Sequence, residues 1–236
     1  MSYVSAIRPE ILAWWRDGEQ TLAAAVSALP DADLAGPSLL PGWTRQTLLA
    51  HLGLNADALV NLLTWARTGV ETPMYASAQA RDDEIAETAA RPAAEVRAEF
   101  AAGQARLAEA VGQMPGTAWQ AQVRNGQGRM VPAAEVPWMR MRETWVHVVD
   151  LAGPVTFADI PAEVTTALVD NIVSGWQARE DVSGLAFAAT DTGQRWGDGP
   201  RVISARRADL LAWMAGRGSA DAIDFDGPPW PPPPWL

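Results

Sequence analysis

The segment at residues 138–147, Trp-Met-Arg-Met-Arg-Glu-Thr-Trp-Val-His, constrains the fold more than any other part of the chain. We predict a helix that begins near residue 132 or 136 and ends near residue 151, with apolar and aromatic side chains on more than one face. Such a helix is typical of a position packed on several sides, and the aromatic side chains are interpreted as core. Glu143 and His147 interrupt this apolar pattern, and their spacing places both side chains on one helix face.

The chain has only two histidines, and both occur where one divalent metal ion could use them. His51 lies in a second apolar helical stretch, residues 47–54. Two imidazoles and one carboxylate form a three-ligand zinc set, which leaves a fourth tetrahedral position for chemistry. The alternative is a pair of satisfied core histidines beside a chance Glu-x3-His spacing. An interior helix position is unfavourable for an unpaired imidazole, so we favour His51, Glu143 and His147 as metal ligands if their helices meet.

The first two-thirds of the chain is predicted to form a helical bundle. Pro9 is suited to a helix N-terminus, Thr44 to an N-cap, and Asn125-Gly126 to the turn of a small hairpin. Four main helices with short connections make an antiparallel bundle whose interior can hold metal ligands. The predicted elements are helices at residues 9–29, 44–67, 77–88 and 92–113, a hairpin at 123–131, and the helix that carries Glu143 and His147.

A linker at residues 153–161 divides the chain into a metal-binding bundle, residues 1–153, and a second domain, residues 154–236. The second domain is predicted to be a small α+β unit. Its proline-rich tail, residues 228–236, favours polyproline II and is either a recognition peptide or a docked or loose terminus. The predicted elements are helices at residues 162–179 and 208–215 and strands at 184–189, 201–205 and 222–225.

Composition excludes several kinds of chemistry. The chain has no cysteine, so it offers no disulfide, no thiolate ligand and no thiol nucleophile. It has no lysine either, which excludes a lysine Schiff base. A net charge of -10 without a basic stripe argues against nucleic acid as a partner. We also expect no membrane span, no signal peptide and a cytoplasmic location, because the sequence lacks a long apolar run and a basic start.

Several of these motifs together resemble the mycothiol-dependent maleylpyruvate isomerases. The resemblance is dense to about Pro161 and looser beyond, and the run of prolines at residues 231–234 departs from the family. It implies a mostly α protein: a DinB-like four-helix bundle followed by a small sterol-carrier-like α+β domain. It also assigns the family's zinc ligands to His51, Glu143 and His147. The matching segments are residues 39–45, 51, 55–59, 65–75, 80–86, 127–132, 138–151, 215–218 and 234–236.

The resemblance implies Zn2+ and mycothiol as cofactors. The implied reaction is the cis–trans isomerisation of maleylpyruvate to fumarylpyruvate in gentisate-type aromatic catabolism, by reversible thiolate addition. The partners are then a small dianionic substrate and a low-molecular-weight thiol. Two alternatives stay open: a mycothiol S-transferase that acts on other electrophiles, and a non-catalytic metal or ligand binder.

A dianionic substrate has two carboxylates, and the planar guanidinium of arginine can bind a carboxylate through two hydrogen bonds. Our candidates are Arg217, Arg81 and Arg142. Arg217 is favoured because the flanking glycines let it approach a ligand closely, which would put the site between the two domains. The alternative for each is a solvated surface charge.

Overall fold

The computed structural model describes residues 8–235 and contains two compact units, one ending at Pro154 and the other beginning at Val155. The class is mostly α, with a helical bundle followed by a small α+β unit, as predicted. Within these residues, no helix is both long and apolar enough to cross a membrane. The elements of the first unit are α1 (Pro9–Ala28), α2 (Asp31–Leu34), α3 (Arg45–Thr68), α4 (Ala78–Ala89), α5 (Ala93–Gly112), β1 (Gln122–Arg124), β2 (Met130–Pro132) and α6 (Val136–Asp150).

Local signals in the sequence set the ends of the bundle helices. Thr44 is the N-cap of α3, and its Oγ1 accepts from the backbone N–H of Thr47 at 3.0 Å. Ser77 caps α4 in the same way through the N–H of Ala80. Gly69 ends α3 with φ of 74°, a left-handed conformation that glycine adopts without strain. The predicted bounds of the five longer helices are within two residues of those observed, with α6 beginning at the later of its two predicted starts.

Close helix packing places α3 and α6 in the interior of the bundle. In the α3–α5 pair, a Cβ at Gly103 would lie 2.8 Å from the carbonyl oxygen of Gly53. In the α1–α6 pair, a Cβ at Gly18 would lie 2.5 Å from Oγ1 of Thr144. A larger residue would meet the backbone of α3 at Gly103 and the side chains of Thr144 and Trp145 at Gly18, so glycine allows the close approach at both contacts. Since α3 also contacts α6, the two helices that carry the candidate ligands are neighbours.

The second unit is a four-stranded sheet with two helices. The strand order is β4-β3-β5-β6, with β3 and β5 parallel and the other pairs antiparallel. Three strands were predicted, and β4 was missed because it has two residues and pairs only through the tertiary fold. The elements are α7 (Ala162–Ala178), β3 (Leu185–Ala189), β4 (Arg195–Trp196), β5 (Arg201–Ala205), α8 (Arg207–Met214) and β6 (Asp224–Phe225).

The proline-rich tail is docked on the second unit through residue 235. The ring of Trp230 lies 5.8 Å from that of Trp176 and 5.9 Å from that of Trp213. Arg179 donates to the carbonyl oxygen of Pro234 at 2.8 Å. Trp235 donates to Oδ1 of Asn171 at 3.1 Å. Of the alternatives considered for the tail, the structure therefore favours a docked terminus.

Candidate metal centre

Two helices bring the three predicted ligands together. His51 projects from α3, and Glu143 and His147 project from successive turns of α6. Oε2 of Glu143 lies 3.1 Å from Nε2 of His51 and 3.2 Å from Nε2 of His147. One ligand atom from each residue lies within 4.8 Å of the other two. The sequence pattern could place only the α6 pair on one face, and packing of α3 against α6 adds His51.

The donor set fits a tetrahedral zinc ion. Zinc binds imidazole nitrogen and carboxylate oxygen at about 2.0–2.2 Å, so ligand atoms around it are separated by about 3.3 Å. The two measured separations, 3.1 and 3.2 Å, are close to that value. Three protein ligands also leave one coordination position for a thiol or water, whereas structural zinc sites generally use four protein ligands.

The pKa values of the three residues are shifted because the carboxylate of Glu143 lies between two imidazoles. Burial lowers the pKa of His51 below its usual value. Burial alone would raise the pKa of Glu143, but hydrogen bonds with His147 and His51 outweigh it and hold this pKa well below its usual value. Burial would also lower the pKa of His147, but the hydrogen bonds with Asp150 and Glu143 outweigh it, so this pKa is raised. The carboxylate is therefore ionised, as a metal ligand must be.

Asp150 orients His147. Its Oδ2 lies 2.8 Å from Nδ1 of His147, and its side chain is 0% exposed. A carboxylate at this nitrogen holds the Nδ1 proton and directs Nε2 of His147 towards Glu143, an arrangement common around metal-bound histidines. Asp150 was not among the residues predicted for the site, although its His-x-x-Asp spacing from His147 on a helix is a usable signal.

Two further side chains border His51. The Trp43 ring packs edge-on with a centroid separation of 5.5 Å. Nη2 of Arg81 lies 3.4 Å from Nδ1 of His51, and Nη1 of Arg81 pairs with Asp82 at 2.7 Å. Arg81, one of the three predicted arginines, thus lies beside the candidate ligand His51. Loop residue Tyr75 lies under Arg81, whose guanidinium carbon is 5.8 Å from the ring centroid.

The other two predicted arginines have different surroundings. Arg142 precedes the candidate ligand Glu143 by one position. Burial lowers its pKa, and its charged neighbours are Glu143, Arg129 and Glu135. Arg217 belongs to the second unit, just beyond α8, where its Nη1 donates to the carbonyl oxygen of Ala215 at 2.6 Å. The preceding Gly216 has φ of 75°, so the predicted glycine turn is present.

A second polar layer lies next to the ligands and was not identified from the sequence. Arg140, which is 0% exposed, donates from Nη1 to Oδ1 of Asn55 at 2.9 Å and to the carbonyl oxygen of Leu52 at 2.8 Å. Its Nε donates to Oε1 of Glu19 at 2.7 Å. Every charge in this layer is paired, as burial demands.

A His2Glu set between two helices of a bundle, with His51 buried and the other two residues partly buried, defines a candidate metal-dependent enzyme. Residues 15–152 match the family model described as "Mycothiol maleylpyruvate isomerase N-terminal domain". The chain therefore belongs to the mycothiol maleylpyruvate isomerase family.

Solved structures agree with this assignment. The chain is 37% identical to a crystal structure of the mycothiol-dependent maleylpyruvate isomerase, with 96% of each chain covered and a TM-score of 0.89. A histidine-to-alanine mutant of that enzyme matches with the same identity and coverage and a TM-score of 0.88. A comparison with curated proteins gave no significant match.

Proposed function

We propose that this protein catalyses the zinc- and mycothiol-dependent cis–trans isomerisation of maleylpyruvate to fumarylpyruvate, a step of gentisate-type aromatic catabolism. The observation that carries the proposal is the set of His51, Glu143 and His147, with three ligand atoms within 4.8 Å of one another. Family membership and the likeness to solved isomerases support the choice of substrate and thiol.

The reaction requires rotation about a carbon–carbon double bond. Reversible addition of a thiolate makes that bond temporarily single, and a thiolate is a good enough leaving group for the addition to reverse. The chain has no cysteine, so the thiol comes from outside. A zinc ion held by the three ligands would bind the thiol sulfur and lower its pKa.

The protein's own residues would orient the reactants and stabilise charge. Asp150 keeps Nε2 of His147 available as a ligand by holding the proton on Nδ1. Arg81 donates to Nδ1 of His51, and this contact requires that Nδ1 is unprotonated, because arginine has no acceptor. Once Nε2 of His51 serves as a ligand, a neutral imidazole carries its proton on Nδ1, and Arg81 is released for a substrate carboxylate.

Arg217, the arginine favoured from the sequence, is proposed beside Arg81 to bind the substrate dianion or the enolate formed by thiolate addition, and Arg142 is the third candidate. Both proposals rest on charge, because a chain of net charge -10 needs local cations to hold a dianion. The planar guanidinium binds a carboxylate through two parallel hydrogen bonds.

The decisive experiment combines metal analysis with an absorbance assay of maleylpyruvate, with and without mycothiol. The expected result is one zinc per chain and conversion to fumarylpyruvate only when the thiol is present, with no thiol consumed. A stable thiol conjugate would assign the protein as a mycothiol S-transferase. Absence of turnover with both zinc and thiol present would leave a non-catalytic binder.

A further inference from the structure

The two histidine ligands are oriented by different contacts. Nδ1 of His147 lies 2.8 Å from the carboxylate of Asp150, which can accept the Nδ1 proton. In the described part of the chain, the hydrogen-bond partners of His51 are Glu143 at Nε2 and Arg81 at Nδ1. Arg81 has no acceptor, so it cannot hold a proton on Nδ1 when Nε2 of His51 serves as a ligand. His51 therefore lacks the protein acceptor that generally orients a metal-bound histidine.

Two aromatic rings hold the His51 imidazole instead. The centroid of the Trp43 ring lies 5.5 Å from that of His51, at an interplanar angle of 71°. The centroid of the His147 ring lies 5.2 Å away, at an angle of 88°. Edge-to-face contacts at these separations are favourable. The His51 side chain is only 7% exposed, so a rotation of its imidazole about the Cβ–Cγ bond would disrupt both contacts, and little water can replace them.

Trp43 can hold another ring because its own backbone is fixed. It ends a turn in which its N–H donates to the carbonyl oxygen of Leu40 at 3.1 Å. Pro41 and Gly42 form the centre of this turn, and Gly42 has φ of 79°, the conformation that a type II turn requires of its third residue. The carbonyl oxygen of Trp43 accepts at 2.9 Å from both the backbone N–H and the hydroxyl of Ser38. The indole thus projects from a backbone that three hydrogen bonds fix.

The loop that carries Trp43 is attached to the end of α6. The N–H of Leu39 donates to the backbone carbonyl oxygen of Asp150 at 2.9 Å. Nε of Arg45, the first residue of α3, donates to the next carbonyl oxygen along the chain at 2.6 Å. Asp150 therefore orients His147 through its carboxylate and anchors the Trp43 loop through its carbonyl group. The groups that contact the two histidine ligands are fixed at the same end of one helix.

We propose that Trp43 is a positioning residue that holds the His51 imidazole in the orientation that metal binding requires, as Asp150 does for His147. The proposal rests on the zinc ligands of the proposed function, but not on the substrate or the thiol. A packed ring limits how far the imidazole can turn, so less orientational freedom is lost when Nε2 of His51 binds the metal. Removal of the indole should therefore weaken metal binding through His51.

The first test measures zinc affinity by competition with a chromogenic chelator. Trp43→Ala should bind zinc about 3- to 10-fold more weakly, the effect expected from the loss of one aromatic pair. Trp43→Phe keeps a ring and should retain most of the affinity, whereas Trp43→Leu keeps apolar bulk without a ring and should resemble Trp43→Ala. Trp65→Ala is the matched control, because Trp65 is also half-buried but lies 14 residues after His51 on α3, about 21 Å away along the helix.

Two results would overturn the proposal. One is wild-type affinity in both Trp43→Ala and Trp43→Leu, and the other is an equal loss in Trp43→Phe and Trp43→Ala. Far-UV circular dichroism checks that each variant is folded, and the leucine variant decides the question if the alanine variant is not. A wild-type protein that binds no zinc would instead contradict the metal centre of the proposed function.

A magnetic resonance measurement reports on each histidine separately and without turnover. The chain has two histidines, so zinc-loaded protein labelled with 15N-histidine gives two sets of ring resonances, and Asp150→Asn identifies those of His147. Trp43→Ala should shift or broaden the ring resonances of His51 more than those of His147. Equal changes at both histidines would indicate a general loosening of the site and contradict a specific role for Trp43.

Discussion

The carboxylate of Asp150 lies 2.8 Å from Nδ1 of His147, one turn along the same helix, and is fully buried. This pair joins the candidate metal centre to the last residue of α6. Because the two residues are three positions apart on one helix, the carboxylate can fix the orientation of the imidazole. It also extends the site beyond its three ligands.

Asp150→Asn should weaken zinc binding about 10- to 100-fold, as expected when the hydrogen-bonding partner of a metal-bound histidine is altered. The amide keeps the size of the side chain but no longer carries the charge that holds the Nδ1 proton. Competition with a chromogenic chelator measures the affinity. Asp57→Asn is the control, since Asp57 of α3 forms a surface ion pair with Arg106 of α5 and should not affect zinc.

His147→Ala should lose the metal without unfolding the bundle. The helices are held by an apolar core around α3 and α6, so the metal is expected to serve chemistry rather than folding. Metal content and far-UV circular dichroism are measured on the same sample. Loss of helical signal together with the zinc would instead identify a structural site.

Zinc affinity should fall as the pH is lowered through the range in which histidine titrates, about pH 5–8. Both imidazoles must be unprotonated to bind the metal, and protons compete for the same nitrogens. The pKa of His147 is raised in the metal-free protein, so this competition begins above the usual value of 6.5. Titration with zinc at several pH values checks the direction, and an affinity that rises on acidification would contradict it.

Activity should depend on an added low-molecular-weight thiol, because the chain contributes none. Purified, thiol-free protein should not isomerise maleylpyruvate, and zinc alone should not restore the rate. The measurement is the absorbance assay before and after addition of mycothiol. Full turnover by the thiol-free protein would refute the thiolate mechanism.

Arg217→Ala should lower turnover by roughly a hundredfold, since loss of one charge-assisted contact in a dry site costs about 3 kcal/mol. Arg217→Lys should be a poor replacement because lysine lacks the planar fork. Zinc content and melting temperature are checked first, with the exposed Arg16→Ala as the control. Near-normal turnover would assign Arg217 to the surface and leave Arg81 and Arg142 as the substrate arginines.

Local patterns account for the parts of the fold that were predicted. Thr44 and Ser77 cap helix N-termini through hydrogen bonds to backbone N–H groups three residues further along. Because these contacts are local, the starts of the two helices could be predicted from the sequence alone. The strand Arg195–Trp196 could not, because two residues become a strand only by pairing with β3. For Asp150, the sequence shows the three-residue spacing from His147, but the burial of its carboxylate could be known only from the tertiary structure.

By itself, the sequence determined that Glu143 and His147 share a helix face, that no cysteine is available, and that a thiol must come from outside. Helical periodicity and composition are properties of neighbouring residues, so they can be predicted without a fold. Only the tertiary structure decided that His51, 92 residues from Glu143, completes the set, and that Arg81, 30 residues from His51, borders it. It alone also decided that Arg140 donates to Asn55, because this buried contact joins two helices at positions 85 residues apart in the chain.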